Sequence, residues 1–330
     1  MKYVGLQHQI SSNNRKTAML LILFPVIILV TVFAFLVLCQ LALQFCGGEV
    51  ASQITINWDV TWEYYTACLP YVIGGVALWF TIAYFSNTAI IRYATGAKSV
   101  ERKDNLRVYN IVENLCIAGG IEMPKINIVN DPGLNAFASG INIQTYTVTL
   151  TTGIIEKLND AELSAVIAHE LTHIKNRDTR LLIISIIFVG ILATIATVSL
   201  KMVGGILRGS GRRRSKKGGG GAILIVLLVA VICSSVAYLF ASLTRFAISR
   251  SREYVADAGG VELCGDSLAL ASALRKVSDS PGLRSVNRED IAQLYIIHPR
   301  ETANKLLNIF NGLFSTHPDT EERIRLLEQF

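Results

Sequence analysis

The chain has 330 residues, of which 51% are hydrophobic and only 17% charged, with a formal net charge of +6. That balance excludes an ordinary soluble globular protein, in which about a quarter of the residues are charged. Much of the positive excess sits in one Gly-flanked run, Arg212-Arg213-Arg214-Ser215-Lys216-Lys217, with no interleaved aromatic residue, so nucleic acid is not an expected partner.

Four uncharged apolar stretches account for the hydrophobic fraction: Thr17 to Cys46, Thr66 to Ile91, Leu181 to Leu200 and Ala222 to Leu243. Each reaches the roughly 20 residues that a helix needs to cross the hydrocarbon core. The first is too long for a signal-peptide core and lacks a clean cleavage site, so it is expected to stay in the membrane. The expected organisation is an N-terminal tail at 1–16, spans at 17–46 and 66–91 around an outer loop at 47–65, then a polar domain in two parts, 92–180 and 245–330. A membrane hairpin at 181–244, carrying a basic Gly-rich loop at 206–221, interrupts that domain.

Lys2, Arg15 and Lys16 precede the first span, and Arg92, Lys98, Arg102 and Lys103 follow the second. The loop between them has no lysine or arginine. The positive-inside rule therefore places the N-terminus and the polar domain after Ile91 in the cytoplasm. Trp58, Trp62, Tyr64 and Tyr65 suit an aromatic belt at the outer interface. The basic loop of the hairpin opposes this rule if both hairpin spans cross, and full or nearly full crossing is the expectation. None of the six cysteines forms a C-x-x-C pair, so they do not read as a metal cluster.

The polar part opens with a helical pattern from Glu101 to Ala118, stopped by Gly119-Gly120. Short strands are expected at Lys125 to Val129, Asn135 to Ala138 and Tyr146 to Leu150. Asn159 and Glu162 form a capping box that starts a helix. Leu163, Val166, Ile167, Leu171 and Ile174 give that helix an apolar stripe. On it lies His169-Glu170-Leu171-Thr172-His173. Histidines four apart share one helix face and converge on one point, and the glutamate beside them can reach a water there. This is the arrangement of zinc peptidases.

A catalytic zinc wants a third protein ligand. The offsets that would mark a metzincin hold Asn176 and Thr179 instead, which excludes that subclass. His8, His298 and His317 are the other histidines. Glu253 and Asp257, four apart on one helix face, offer a carboxylate ligand with a second acid behind a histidine. An exposed ion pair among Arg245, Arg250 and Arg252 explains Glu253 equally well at this point.

Leu134-Asn135-Ala136-Phe137-Ala138, the His169 to His173 motif, Asn176-Arg177-Asp178, Ser251 to Asp257 and Thr316-His317-Pro318 occur in that order. From Tyr93 to the C-terminus the chain resembles the HtpX-type membrane metallopeptidases, relatives of the CAAX prenyl protease. The resemblance implies a mainly α, zincin-like (gluzincin) domain with a small β-sheet, joined to about four transmembrane helices. It implies one zinc ion held by His169, His173 and Glu253, with Asp257 and Asp178 supporting the ligands. It makes Glu170 the general base and His317 the group facing the substrate oxyanion, with Arg323 behind it. Asn135, Ala136 and Phe137 fall on the substrate-binding edge strand. Implied partners are membrane-protein or unfolded polypeptide substrates and the lipid bilayer of a bacterial inner membrane, with an oligomer left open. The implied role is quality control of misfolded membrane proteins under stress. Asp319 stands where the family often has a second proline, and the basic loop is long for the family. A prenyl-protein processing protease and a non-catalytic zinc-binding membrane module are the competing functions.

Overall fold

The computed structural model describes residues 6–46, 55–209, 220–279 and 319–330, which fall into two compact units. In chain order the helices and strands are α1 (Leu6–Cys46), α2 (Trp58–Thr95), β1 (Lys98–Ser99), α3 (Leu106–Gly119), β2 (Lys125–Val129), β3 (Ala136–Ser139) and β4 (Thr147–Thr151). They continue with α4 (Thr152–Lys157), α5 (Asp160–Lys175), α6 (Asp178–Gly209), α7 (Gly220–Cys264), α8 (Ser267–Ser278) and α9 (Thr320–Leu327). The fold is therefore mainly α with a small sheet, as the sequence suggests.

One unit comprises Met19–Ala83 and Ile186–Leu243. Among the described residues three helical stretches are long and apolar enough to cross a bilayer: Ile10–Gln44, Trp58–Thr95 and Asp178–Gly205. The described apolar part of α7, Ile223–Leu239, is shorter. Inside this unit Phe188 stacks on Phe24 and Phe80, with ring centroids 4.9 and 5.3 Å away, and Trp79 Nε1 donates to the Ile187 carbonyl at 3.2 Å. Met19, Ile22, Val30, Tyr71 and Ile82 are exposed apolar side chains, as lipid-facing helices require. The middle of the basic loop lies outside the described residues.

The other unit comprises Met1–Ala18, Tyr84–Ser185 and Thr244–Phe330. Its sheet has the order β1-β2-β4-β3. β2 and β4 are parallel, while β1 and β3 run antiparallel on the two edges. β2 has the expected limits, whereas β3 and β4 each lie one residue later than the alternation suggests. Helix α3 starts at Leu106 rather than Glu101, because the Asn105 side chain caps it by accepting from Val108 N. Glu101 to Asp104 instead close a turn through Glu101 N and Asp104 Oδ2. Gly120, in the left-handed region at φ 59°, ends α3 where Gly119-Gly120 predicts the stop.

The stripe on α5 predicts a helix with one buried face. Instead α5 is buried almost all round from Glu162 to Ile174. α3, β3 and β4, and α8 all pack against it. Small residues on the remaining faces, Ala165 and Ala168, allow this enclosure and blur the amphipathic signal. The core around it includes Val112, Leu150, Ile154, Leu163, Ile167 and Leu274, each at or near zero exposure. Burial of side chains this size stabilises by about 1.5–3 kcal/mol each.

Glu162 is the polar tie of this unit. It completes the capping box by accepting from Asn159 N at 3.0 Å, and it receives Ser272 Oγ and Lys276 Nζ of α8, both at 2.7 Å. Burial pushes the Glu162 carboxyl up, but Lys276, Ser272 and Asn159 outweigh it and hold it below the usual range. A carboxyl lowered by folding stabilises the fold above its unfolded pKa, and that contribution disappears as pH falls through the folded value. Glu162→Ala should thus destabilise by about 1–3 kcal/mol at pH 7. Thermal midpoints in detergent should show that gap narrowing as pH drops below the ordinary 4.5.

Candidate metal centre

Helix α5 presents His169 and His173 one turn apart, with rings perpendicular at 89° and Nε2 atoms 3.2 Å apart. Helix α7 brings Glu253 to them. Its Oε2 lies 3.7 Å from His169 Nε2 and its Oε1 3.8 Å from His173 Nε2. One ligand atom from each of the three residues lies within 4.8 Å of the other two. The approach of α7 to α5 depends on Gly259-Gly260. A Cβ on Gly260 would sit 3.0 Å from His169 N, and one on Gly259 would sit 2.6 Å from Thr172 Cγ2. These glycines carry no functional motif of their own. Their signal in the sequence is their place one helical turn beyond the Glu253 to Asp257 face.

The far side of each imidazole is held by a carboxylate. His169 Nδ1 lies 3.0 Å from Asp257 Oδ1, and His173 Nδ1 lies 3.0 Å from Asp178 Oδ2. Each carboxylate favours a proton on Nδ1, which leaves both Nε2 lone pairs free. Three donor groups then converge on one point, an arrangement that calls for a cation. Two nitrogens held at about 2.05 Å by a tetrahedral zinc stand about 3.3 Å apart, close to the spacing found here. The residues present fit the metal that their types suggest.

Arg323 of α9 closes the back of the site. Its Nε and Nη2 form a fork onto Asp257 at 2.8 and 2.7 Å, and its Nη1 lies 3.6 Å from Glu253 Oε2. Arg323 is 1% exposed, so this is a fully desolvated pair. Burial opposes ionisation of Asp257, yet Arg323 holds it down to about 2. Burial likewise lowers His169, but Asp257 and Glu253 overcome it and push the imidazole up to about 9. The negative field that draws a proton onto His169 draws a divalent cation more strongly.

Glu170 is 3% exposed, and its carboxyl is raised, first by burial. The Ala138 backbone N–H of β3 bonds to it. Asn135 O accepts Thr151 N at 3.0 Å, so the backbone groups of Ala136 and Ala138 turn away from β4. Asn135 itself tucks inward, its Oδ1 accepting Ala136 N at 2.9 Å, and Phe137 is 1% exposed. The structure thus gathers His169, Glu170, His173, Glu253, Asp257, Asp178 and Arg323, and sets β3 beside Glu170. His317 lies outside the described residues.

A histidine pair on a buried helix, a carboxylate from a second helix and an adjacent glutamate define a metallopeptidase site of the zincin kind. Residues 102–330 match the family model described as Peptidase family M48, and the chain belongs to that family. It is 53% identical over 330 residues to a protein named Protease HtpX homolog from Bacteroides fragilis, covering 100% of both chains. A Protease HtpX homolog from Streptococcus pyogenes serotype M28 is 36% identical over 327 residues, 98% of this chain and 99% of that one. A crystal structure of S. mikatae Ste24p aligns with a TM-score of 0.45 at 19% identity, covering 89% of this chain and 61% of that one. The HtpX-type resemblance read from the motifs is borne out, and the protein is a membrane metallopeptidase.

Removing a ligand and removing its support should differ. Glu253→Ala should purify with little metal. Asp257→Ala should bind it about 10–100-fold more weakly and refill at excess. Metal content by atomic absorption, before and after dialysis against zinc, checks both.

Proposed function

We propose that the chain is a zinc-dependent endopeptidase that cuts misfolded or damaged membrane proteins at the cytoplasmic face of a bacterial inner membrane. The observation that carries the catalytic part of this reading is the placing of Glu170 beside the His169, His173 and Glu253 cluster. In this reading those three residues hold zinc. The metal, when bound, supplies the Lewis acidity that activates water and polarises the scissile carbonyl.

Glu170 takes the proton from the attacking water and delivers it to the leaving amine. Burial raises this carboxyl above the ordinary carboxylate range, which makes it a stronger proton acceptor than an exposed glutamate. Asp257 and Asp178 keep the two imidazoles turned with Nε2 forward, and Arg323 keeps Asp257 ionised. His317 is assigned to the developing oxyanion on the strength of the motif around it.

An extended substrate adds to β3 as a further strand, next to Glu170. Such recognition reads backbone rather than side chains, so it suits unfolded segments of varied sequence. The lipid-exposed helices keep the site at a membrane, where damaged membrane proteins are the polypeptides at hand. The cytoplasmic assignment is supported by the lysines and arginines that flank the first two spans and are missing from the loop between them.

Two measurements test this reading. Glu170→Ala should retain full zinc but lose casein cleavage by detergent-purified protein, by at least about 10²-fold. Zinc loss from a folded Glu170→Ala protein refutes the assignment of the base. A reporter active only in the cytoplasm should work when fused after Phe330 and fail when inserted near Gln53, and the opposite pattern refutes the orientation.

A further inference from the structure

The segment ahead of the first apolar run reads as a free polar tail, yet it is helical from Leu6 and buries a polar side chain. Asn13 is 2% exposed. It serves the elbow between α5 and α6. Helix α5 ends at Lys175, Asn176 caps it, and α6 starts at Asp178. Arg177 between them takes φ 62°, a left-handed conformation that costs a non-glycine residue about 1 kcal/mol. Something has to hold this elbow in place.

Asn13 Nδ2 does so with both of its hydrogens. It donates to the Asn176 carbonyl at 2.9 Å and to Asp178 Oδ1 at 2.7 Å. Both partners are acceptors, so only the amide nitrogen can face them. The other oxygen of the same carboxylate, Asp178 Oδ2, holds His173 Nδ1 at 3.0 Å. Thr17 Oγ1 in turn donates back to the Asn13 carbonyl at 2.8 Å. One carboxylate therefore links the N-terminal helix to a ligand ring. Asn14 adds an exposed contact, its Oδ1 accepting from Arg177 Nη1 at 3.1 Å.

We propose that Asn13 is a positioning residue of the metal centre. It fixes the rotation of the Asp178 carboxylate and through it the ring of His173, so the segment before the first span is a working part of the peptidase. The inference rests on the reading of His173 as a zinc ligand. Without Asn13 the buried Asp178 keeps one oxygen on His173 and loses the donor on the other, and the carboxylate turns toward whatever donor it can find. A side chain that orients a ligand through its supporting carboxylate acts on metal affinity and on ligand geometry, which simple packing does not.

The test uses the full chain, purified in detergent. Zinc affinity is read by competition with a chromophoric chelator, and ligand geometry by the visible absorption of the cobalt-substituted protein. Asn13→Ala should bind zinc about 10-fold more weakly and shift the cobalt bands. Asn13→Leu is close in shape but donates no hydrogen bond, so a packing role predicts no change in zinc affinity. The positioning role predicts a loss like that of Asn13→Ala. In an Asp178→Ala background, Asn13→Ala should add less than about 2-fold, since the two residues act as one unit. Arg15→Ala, an exposed neighbour, should leave affinity unchanged. Unaltered zinc affinity and cobalt spectrum in both Asn13 variants, or effects of Asn13→Ala and Asp178→Ala that multiply, overturn the proposal. His173→Ala separates the two readings. If it binds zinc like the wild type, the ligand assignment itself has failed. If it loses zinc while the Asn13 variants keep it, only the role of Asn13 has.

Discussion

The structure depends on two imidazoles, each gripped from behind by a carboxylate, with their lone pairs aimed at one point. Everything near the site serves that arrangement. Asp257 and Asp178 fix the rings, Glu253 faces them, and Glu170 stands alongside. All four carboxylates are buried, and Arg323 is the cation that reaches Asp257 and Glu253. Buried charge of one sign is costly in a low-dielectric interior. A divalent ion brings the cluster to within one charge of neutrality. Metal binding and folding stability are thus coupled here, since the ion offsets repulsion that the polypeptide leaves in place.

Much of this was legible in the sequence. The capping box of Asn159 and Glu162 placed the start of α5, and the histidine spacing declared the chemistry. The turn residues Gly119-Gly120 marked the end of α3, ahead of β2. Glu253 was harder, because 79 residues separate it from His173, and local spacing carries no information about what a membrane insertion brings back. Only the joint order of several motifs made it the favoured ligand.

The parts that stayed hidden share one cause. Pattern reading detects a boundary between wet and dry faces, and α5 has hardly any wet face. Asn13 looked like one polar residue in a polar tail, since nothing local marks a hydrogen bond to a residue more than 160 positions away. Lone glycines in a helix likewise look like weak helix formers. Their purpose at 259 and 260 depends on what approaches from outside the helix.

That glycine pair has a consequence for ion choice. With no side chain on either glycine, the α7 backbone lies against the His169 backbone and the Thr172 side chain of α5, so the pair sets how closely the two ligand-bearing helices approach. The ordering entropy of the cage is met when the chain folds, and an incoming ion needs little rearrangement. Calcium, with its appetite for six or more oxygens, and magnesium, with its demand for an octahedron of oxygens, are poorly matched to a donor set of two nitrogens and one carboxylate. Holding the helices together keeps two nitrogens and a carboxylate facing one point, a donor set that suits a tetrahedral transition-metal ion.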